Sequence, residues 1–85
     1  MHHRLNNKGR MVRSMNSLYK NIVSGKLKSL RMHYNLTQKE VADKINVERS
    51  TYAYYEAGKT APSIDTLLAL SEVYNVSIDY FVGKM

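Results

Sequence analysis

The 85-residue chain contains no cysteine. Disulfide scaffolds, thiolate nucleophiles and cysteine-ligated zinc sites are therefore excluded. It also lacks any apolar run near the roughly 20 residues that a membrane-spanning helix requires, and its basic start lacks the apolar stretch of a secretory signal. With 44% hydrophobic and 24% charged residues, the composition is that of an ordinary globular protein. We expect one small domain located in the cytoplasm.

Acidic residues are missing from the first 23 positions. Those positions hold five basic residues, whereas residues 24–85 hold eight basic and seven acidic ones, so most of the net charge of +6 lies near the N-terminus. Such a segment attracts nucleic-acid phosphates and anionic membrane surfaces alike. We predict that residues 1–21 form a flexible basic arm and residues 22–85 a folded domain. The alternative is a vector-derived or upstream-translated leader, since Met11 and Met15 both offer internal starts.

The first predicted helix begins near Ile22, because apolar residues recur from there at helical spacing. These residues, which we expect to face the core, are Val23, Leu27, Leu30 and Tyr34. Residues 1–16 show no such period, and we expect them to be mostly unstructured.

Four more helices are indicated by residues at their ends. The capping box of Thr37 and Glu40 begins the second helix, and Glu48, Ser63 and Ser77 begin the third, fourth and fifth. Residues that tolerate a left-handed backbone end the second, third and fifth helices, and they are Asn46, Gly58 and Gly83. An apolar stripe marks the fourth helix, formed by Ile64, Leu67, Leu68, Leu70, Val73 and Tyr74. The sequence therefore predicts an all-α fold.

The spacing of the second and third helices is typical of a helix-turn-helix, in which two short helices cross steeply across a tight turn. Ala42 is small enough to let the two helix backbones approach. Val47 in the turn and Tyr52 in the third helix would fill the space between them. This motif places the N-terminal residues of its second helix in a DNA major groove.

Residues 27–82 resemble the lambda-repressor-like, Cro-type DNA-binding family, also called the xenobiotic-response-element family. The marks of the resemblance are Leu27-x-x-Leu30-Arg31, Leu36-Thr37-Gln38-x-x-Val41-Ala42, Ser50-Thr51-Tyr52, Tyr55-Glu56-x-Gly58-Lys59, Pro62-Ser63 and Val76-Ser77. The resemblance implies a compact bundle of five helices that binds operator DNA, usually as a dimer. The chain departs from the family at Asn46, where Gly is usual, and at Glu48, where Ser or Thr is usual. Glu48 would repel phosphate, accept from a cytosine amine or act as an exposed cap without a DNA role.

The resemblance implies six DNA-contacting residues: Gln38, Arg49, Ser50, Thr51, Tyr54 and Lys59. Gln38 would contact a phosphate or brace a recognition residue, and Lys59 would bind a phosphate. Arg49 has the donors to pair with guanine O6 and N7. Ser50 would contact a base edge or a phosphate, and Tyr54 a thymine methyl group or a phosphate. Thr51 would touch the DNA backbone or support the turn.

The family also implies a structural ion pair, in which Arg31 of the first helix reaches Glu56 at the end of the third. Tyr52 and Tyr55, spaced three residues apart, are predicted to be core residues. The alternative is that the tyrosine run forms a stacking platform for single-stranded nucleic acid.

Catalytic and metal-binding chemistry have no support in the sequence. His2 and His3 lie in the arm and His33 stands alone in the first helix, so no set of histidines and carboxylates has metal-ligand spacing. No acid–base cluster suggests an enzyme, and no cofactor is implied.

The sequence thus predicts a transcription regulator, and specifically a repressor, that reads double-stranded operator DNA. We expect a homodimer whose recognition helices lie one DNA turn, ~34 Å, apart. Tyr80, Phe81 and Val82 are the candidate dimer contacts; of these, Phe81 is expected in the core and Tyr80 at an exposed contact. The alternatives are an antitoxin-like protein-interaction module with autoregulatory DNA binding, and a non-specific binder of nucleic acid or membrane surfaces.

Overall fold

The first helix is longer than its apolar pattern predicts. In this computed structural model, which describes residues 13–83 and the side chains of residues 18–83, α1 spans Arg13–His33. The predicted start near Ile22 was therefore wrong, and residues 13–16 are helical instead of unstructured. The predicted boundary between arm and domain falls inside this helix, and residues 1–12 of the predicted arm lie outside the described residues.

A contact with a distant loop accompanies the additional turns of α1. Tyr19 packs against the core, and its hydroxyl donates a hydrogen bond to the carbonyl oxygen of Pro62 across 3.3 Å. Burial raises the pKa of Tyr19, so the hydroxyl keeps the proton that it donates. Because Pro62 lies 43 residues away in the sequence, no local pattern could have indicated this contact.

Four shorter helices follow α1 within the described residues: α2 Gln38–Lys44, α3 Arg49–Glu56, α4 Ile64–Tyr74 and α5 Ile78–Phe81. No strand occurs between residues 13 and 83, which confirms the all-α fold class. Helix α3 packs against α1 and α2, and α5 packs against α1 and α4. The chain thereby holds α3 between its two neighbours and leaves one side of that helix open.

The helix starts use the predicted residues in two different ways. Thr37 and Glu40 form the complete capping box of α2, in which each side chain binds the other residue's backbone N–H. The Ser63 hydroxyl accepts from a backbone N–H in the first turn of α4. Glu48 and Ser77 occupy the corresponding positions of α3 and α5 but make no capping hydrogen bond. The start of α3 therefore depends on packing more than on a cap.

Left-handed residues end the helices. Asn35, Asn46 and Asn75 have φ values of 61°, 62° and 55°, and Gly58 and Gly83 have 73° and 70°. At Asn46 the backbone N–H of the next residue returns to the Ala42 carbonyl oxygen at 3.0 Å, which is a Schellman closure. Asn tolerates this backbone at modest cost, so the departure from Gly at this position leaves the turn intact.

All five helices contribute to the core. Its buried members are Val23, Leu27, Leu30, Val41, Ala42, Ile45, Tyr52, Tyr55, Leu67, Leu70, Tyr74 and Phe81. This set confirms the core positions predicted for Tyr52, Tyr55 and Phe81. It also contains the fully buried Ala42 of α2, and Val47 of the turn packs against the core.

Three residues of the predicted apolar stripes are exposed. Leu67, Leu70 and Tyr74 of α4 are buried, but Ile64 and Leu68 are 62% and 49% exposed. A helix turns by about 100° per residue, and this rotation carries Ile64 and Leu68 to the side of α4 away from the core. Tyr34, beyond the end of α1, is half-exposed and stacks on the ring of Tyr74 at 5.6 Å.

Candidate nucleic-acid interface

The candidate interface is built on α2, the turn and α3. Glu48 precedes α3 in an extended conformation, so the chain leaves the turn and enters α3 with its first residues at the molecular surface. A shallow depression at this turn is lined by Lys39, Asp43, Asn46 and Thr51, together with neighbouring residues. The turn of the helix pair is thus open to a partner.

The outer face of α3, which we define as Arg49, Ser50 and Tyr54, is exposed. Ser50 and Tyr54 stand four positions apart, which places them one above the other on the helix. Arg49 lies about 100° around the helix from Ser50, so the three residues share less than half of its circumference. Thr51 is half-buried beside them. Tyr54 is 52% exposed although its ring is large, so this face presents donors and an aromatic surface to solvent.

Lys59 joins the outer face from the loop after α3. Its side chain is exposed, and its ammonium lies 5.9 Å from the centre of the Tyr54 ring, within the range of a cation–π contact. Its backbone N–H also binds the Tyr54 carbonyl oxygen at 3.0 Å. The structure therefore brings Tyr54 and Lys59 together, and substitution of one of them would change the surroundings of the other.

Arg31 and Glu56 are in contact, as the resemblance implies. Arg31 Nε lies 2.5 Å from Glu56 Oε2, and Arg31 Nη2 donates to Glu56 Oε1 at 3.1 Å. Arg31 Nη1 binds the Leu36 carbonyl oxygen at 2.9 Å. One guanidinium thus connects α1, the loop before α2 and the last residue of α3.

Two further donors reach the Glu56 carboxylate. The Tyr52 hydroxyl donates to Oε2 at 2.6 Å, and Gln38 Nε2 donates to Oε1 at 3.2 Å. We call Arg31, Gln38, Tyr52 and Glu56 the Glu56 cluster. Gln38 extends the cluster to the outer face, because its Oε1 accepts from Arg49 Nη1 at 3.3 Å. Gln38 therefore braces Arg49, which is one of the two roles that the resemblance implies for it.

The charges of the Glu56 cluster are set by these contacts. Burial acts to raise the pKa of the Glu56 carboxyl, but hydrogen bonds from Arg31, Tyr52 and Gln38 outweigh burial and hold that pKa below its ordinary value. The hydrogen bond to Glu56 raises the pKa of Arg31. Burial, followed by the bond to Glu56, raises the pKa of Tyr52. An ionised Glu56 and a protonated Tyr52 are thus the stable forms at neutral pH.

The stacking-platform alternative for the tyrosine run is wrong for two of its three rings. Tyr52 is fully buried and Tyr55 is 8% exposed, and the two rings pack edge to face at 6.3 Å. Only Tyr54 of this run offers a face to a base.

Sequence reasoning missed three contacts at this site. The Ser24 hydroxyl donates to the Glu56 carbonyl oxygen, and Gln38 binds Glu56 across 18 positions of sequence; no local pattern indicates either contact. Lys39 Nζ lies 3.2 Å from Asp43 Oδ1 on the exposed side of α2, and this pair was detectable from its i, i+4 spacing. Being exposed, the Lys39–Asp43 pair adds little stability.

Neither a membrane span nor a metal cluster is found in the part of the chain that the structure describes. Among those residues no helix combines the length and the apolar character needed to cross a membrane. No group of three or more His, Asp or Glu side chains there is placed to hold a metal ion.

A bundle of this kind, with an open second helix in a helix pair, defines a helix-turn-helix protein. The helix-turn-helix family model matches residues 27–81, which is well over half of the chain. The chain belongs to the helix-turn-helix family, as its sequence resemblance predicted.

Curated relatives support the same placement. The chain is 46% identical over 59 residues to the HTH-type transcriptional regulator ImmR of Bacillus subtilis, covering 69% of this chain and 46% of ImmR. It is 40% identical over 60 residues to RstR of Vibrio cholerae, a cryptic phage CTXphi transcriptional repressor, covering 71% of this chain and 54% of RstR. The chain thus spans about half the length of these relatives.

Solved structures share the fold. A transcriptional regulator from Listeria innocua superposes with a TM-score of 0.70 at 33% identity, covering 74% of this chain and 59% of that one. A regulator from Vibrio cholerae reaches a TM-score of 0.72 at 24% identity, covering 80% of this chain and 38% of that one. At this lower identity the second likeness concerns the fold alone.

Proposed function

We propose that this chain is a sequence-specific double-stranded-DNA-binding transcription regulator that acts as a repressor by occupying an operator. The observation that carries the proposal is the exposed outer face of α3, where Arg49, Ser50 and Tyr54 stand at the position from which the second helix of this motif reads base edges. The names of ImmR and RstR as a regulator and a repressor support it. We further propose that the chain has no enzymatic activity and acts in the cytoplasm.

Each residue of the site has a separate role in the proposal. Arg49 donates to guanine, Ser50 and Tyr54 contact a base or a phosphate, and Thr51 lies at the edge of the contact. Gln38 and Lys59 bind the DNA backbone on either side. Phosphate contacts position the protein, whereas base contacts determine the sequence that it prefers.

We propose a homodimer, because one short helix contacts only a few base pairs and a two-fold arrangement doubles the site. Val82 is 40% exposed and remains a candidate contact. Tyr80 is a weaker candidate than the sequence suggested, because it packs against the core and the Lys26 ammonium lies 4.5 Å from its ring centre. The exposed Ile64 and Leu68 of α4 offer additional apolar surface.

The basic arm is proposed to add contacts to the DNA backbone or minor groove through Arg4, Lys8 and Arg10. Removal of residues 1–12, which keeps Arg13–His33 of α1, should weaken binding at low salt and flatten its salt dependence, since each lost phosphate contact removes about one released ion. Equal affinity of the shortened and full chains at low salt would exclude this role.

Selection of bound duplexes from a random pool at roughly physiological salt tests the main proposal. We expect an enriched palindrome whose half-sites are centred about 10 base pairs apart. An enriched site without two-fold symmetry would exclude the dimer alone. Recovery of duplexes with no common sequence would exclude specific recognition and favour binding driven by charge.

A further inference from the structure

The side-chain amide of Gln38 lies between a buried carboxylate and an exposed guanidinium. Its Nε2 donates to Glu56 Oε1 at 3.2 Å, and its Oε1 accepts from Arg49 Nη1 at 3.3 Å. The two polar atoms of one amide group therefore connect the inside of the molecule to the outer face of α3.

Only one orientation of this amide satisfies both neighbours. An ionised carboxylate accepts hydrogen bonds and cannot donate them, whereas a guanidinium donates and cannot accept. If the amide of Gln38 turned by half a rotation, its oxygen would face the Glu56 carboxylate and its NH2 group would face Arg49. Both contacts would then be repulsive. The charge of Glu56 thus favours the orientation in which the oxygen of Gln38 faces Arg49.

Glu56 itself is held in place and cannot contact DNA. Its side chain is only 5% exposed. Besides Gln38, its oxygens accept from Arg31 Nε at 2.5 Å and Nη2 at 3.1 Å and from the Tyr52 hydroxyl at 2.6 Å. Any influence of Glu56 on recognition must therefore pass through a neighbour, and Gln38 is the member of the cluster that also binds an outer-face residue.

We propose that Glu56 is a positioning residue for base recognition, because it orients the Gln38 amide whose carbonyl oxygen holds Arg49 ready to read its base. This inference rests on the proposed function. Gln38 Oε1 accepts a hydrogen bond from Nη1 of Arg49, which leaves the remaining N–H groups of the guanidinium free to donate to the base edge. A side chain held before binding loses less conformational freedom when the complex forms.

The test compares two variants that each change one hydrogen bond of the Glu56 carboxylate. Glu56→Gln makes the neighbour of Gln38 able to donate, so residue 56 no longer opposes the turned amide and only Arg49 still favours the observed orientation. Tyr52→Phe, the matched control, removes a donor to Oε2 and leaves the bonds of Oε1 to Gln38 and Arg31. For each full-length variant, the dissociation constant is measured for the selected operator and for a duplex altered at the base pair whose preference Arg49→Ala relaxes.

We define the specificity ratio as the dissociation constant of the altered duplex divided by that of the operator. We expect Glu56→Gln to lower this ratio by about 2- to 10-fold, the cost of releasing one held side chain. Tyr52→Phe should change the ratio by less than about 2-fold, since Arg31 still holds the carboxylate on both oxygens. In the Arg49→Ala background Glu56→Gln should have no further effect on the ratio. Circular dichroism and thermal unfolding show whether each variant is folded.

Three results would overturn the inference: an unchanged ratio in Glu56→Gln, an equal fall with and without Arg49, or an equal fall in Tyr52→Phe. If Glu56→Gln does not fold, Gln38→Met tests the contact through which Glu56 would act. It removes the amide from a partly exposed position and must lower the same ratio in the presence of Arg49 only, and an unchanged ratio would overturn the inference. If the unmodified protein prefers no sequence at all, the proposed function fails together with the inference. If it prefers a sequence that these variants leave unchanged, the positioning role alone is wrong.

Discussion

The two faces of α3 differ in what holds their side chains in place. On the inner face, Tyr52 is fully buried and Glu56 accepts hydrogen bonds from Arg31, Gln38 and Tyr52. On the outer face, Arg49, Ser50 and Tyr54 are exposed, and Arg49 donates a hydrogen bond to the side chain of Gln38. The two faces together contain only eight residues of one helix.

The contrast shows how a short helix can both support the fold and present a contact surface. Helices shorter than about 12 residues are marginal alone in water, so α3 depends on its inner face to be a helix at all. Its outer face is then free to carry residues that add nothing to folding. Substitutions on the two faces should therefore separate stability from binding.

The largest effect is expected from Tyr52→Ala on the inner face. Removing a fully buried aromatic ring from a packed core costs about 3–5 kcal/mol of unfolding free energy. Tyr54→Ala, two residues away on the outer face, should change that free energy by no more than about 0.5 kcal/mol. Urea unfolding followed by circular dichroism measures both. Similar losses in the two variants would show that the faces are not distinct.

On the outer face, Arg49→Ala should cost about 1–3 kcal/mol of discrimination at one base pair while unfolding is unchanged. Lys59→Ala is the matched comparison, since it should weaken specific and random duplexes alike and reduce the salt slope by about one. Fluorescence anisotropy with both kinds of duplex at several salt concentrations gives these values. If both variants lose affinity equally on specific and random duplexes, the roles assigned to Arg49 and Lys59 are wrong.

Acid should affect the inner face through Glu56. Because its pKa is held below the ordinary value of 4.5, the stability contributed by its ionised form is complete above that value. This contribution is lost as the pH falls through the lower pKa of the folded state. We expect the unmodified protein to lose more unfolding free energy than Glu56→Gln between about pH 6 and about pH 3. Urea unfolding across this range measures the difference, and equal losses would contradict it.

Much of this contrast could be predicted from sequence, because local features encode it. The capping box of Thr37, the left-handed backbone at Asn46 and the spacing of Tyr52 and Tyr55 all depend on residues within one or two turns. They predicted where α2 ends, where α3 lies and which side of α3 is buried. The family resemblance added the Arg31–Glu56 pair, which the structure shows in contact.

What the sequence did not reveal depends on distant neighbours. The additional turns of α1 accompany the Tyr19 contact with Pro62, and the orientation of Gln38 depends on Glu56. Ile64 and Leu68 were placed in the apolar stripe of the fourth helix, but their exposure depends on which side of α4 meets the rest of the bundle. The apolar character of a residue at the edge of a stripe does not show which way the helix is turned toward the core.

The smallest effect on stability is expected from removing the hydroxyl of Tyr74. This buried tyrosine lacks a carboxylate partner like the one that accepts from the Tyr52 hydroxyl. Tyr74 is 3% exposed. Its hydroxyl lies close enough to Tyr52 for that side chain to act on its pKa, but it completes no hydrogen bond of good geometry with any described residue. Burial, with the charge of Glu56 second, raises the pKa of Tyr74 to about 12, so the hydroxyl stays protonated at neutral pH. A buried polar group without a partner opposes folding.

Tyr74→Phe should therefore leave the free energy of unfolding unchanged or raise it by up to about 1 kcal/mol. Tyr52→Phe removes the same atom from a hydroxyl that binds an ionised carboxylate at 2.6 Å, and it should lower stability by about 1.5–3 kcal/mol. Urea unfolding of the two variants under one set of conditions gives both values. A clear loss of stability in Tyr74→Phe would mean that its hydroxyl has a partner in solution, and the inner surface of the bundle would then contain a second supported hydroxyl.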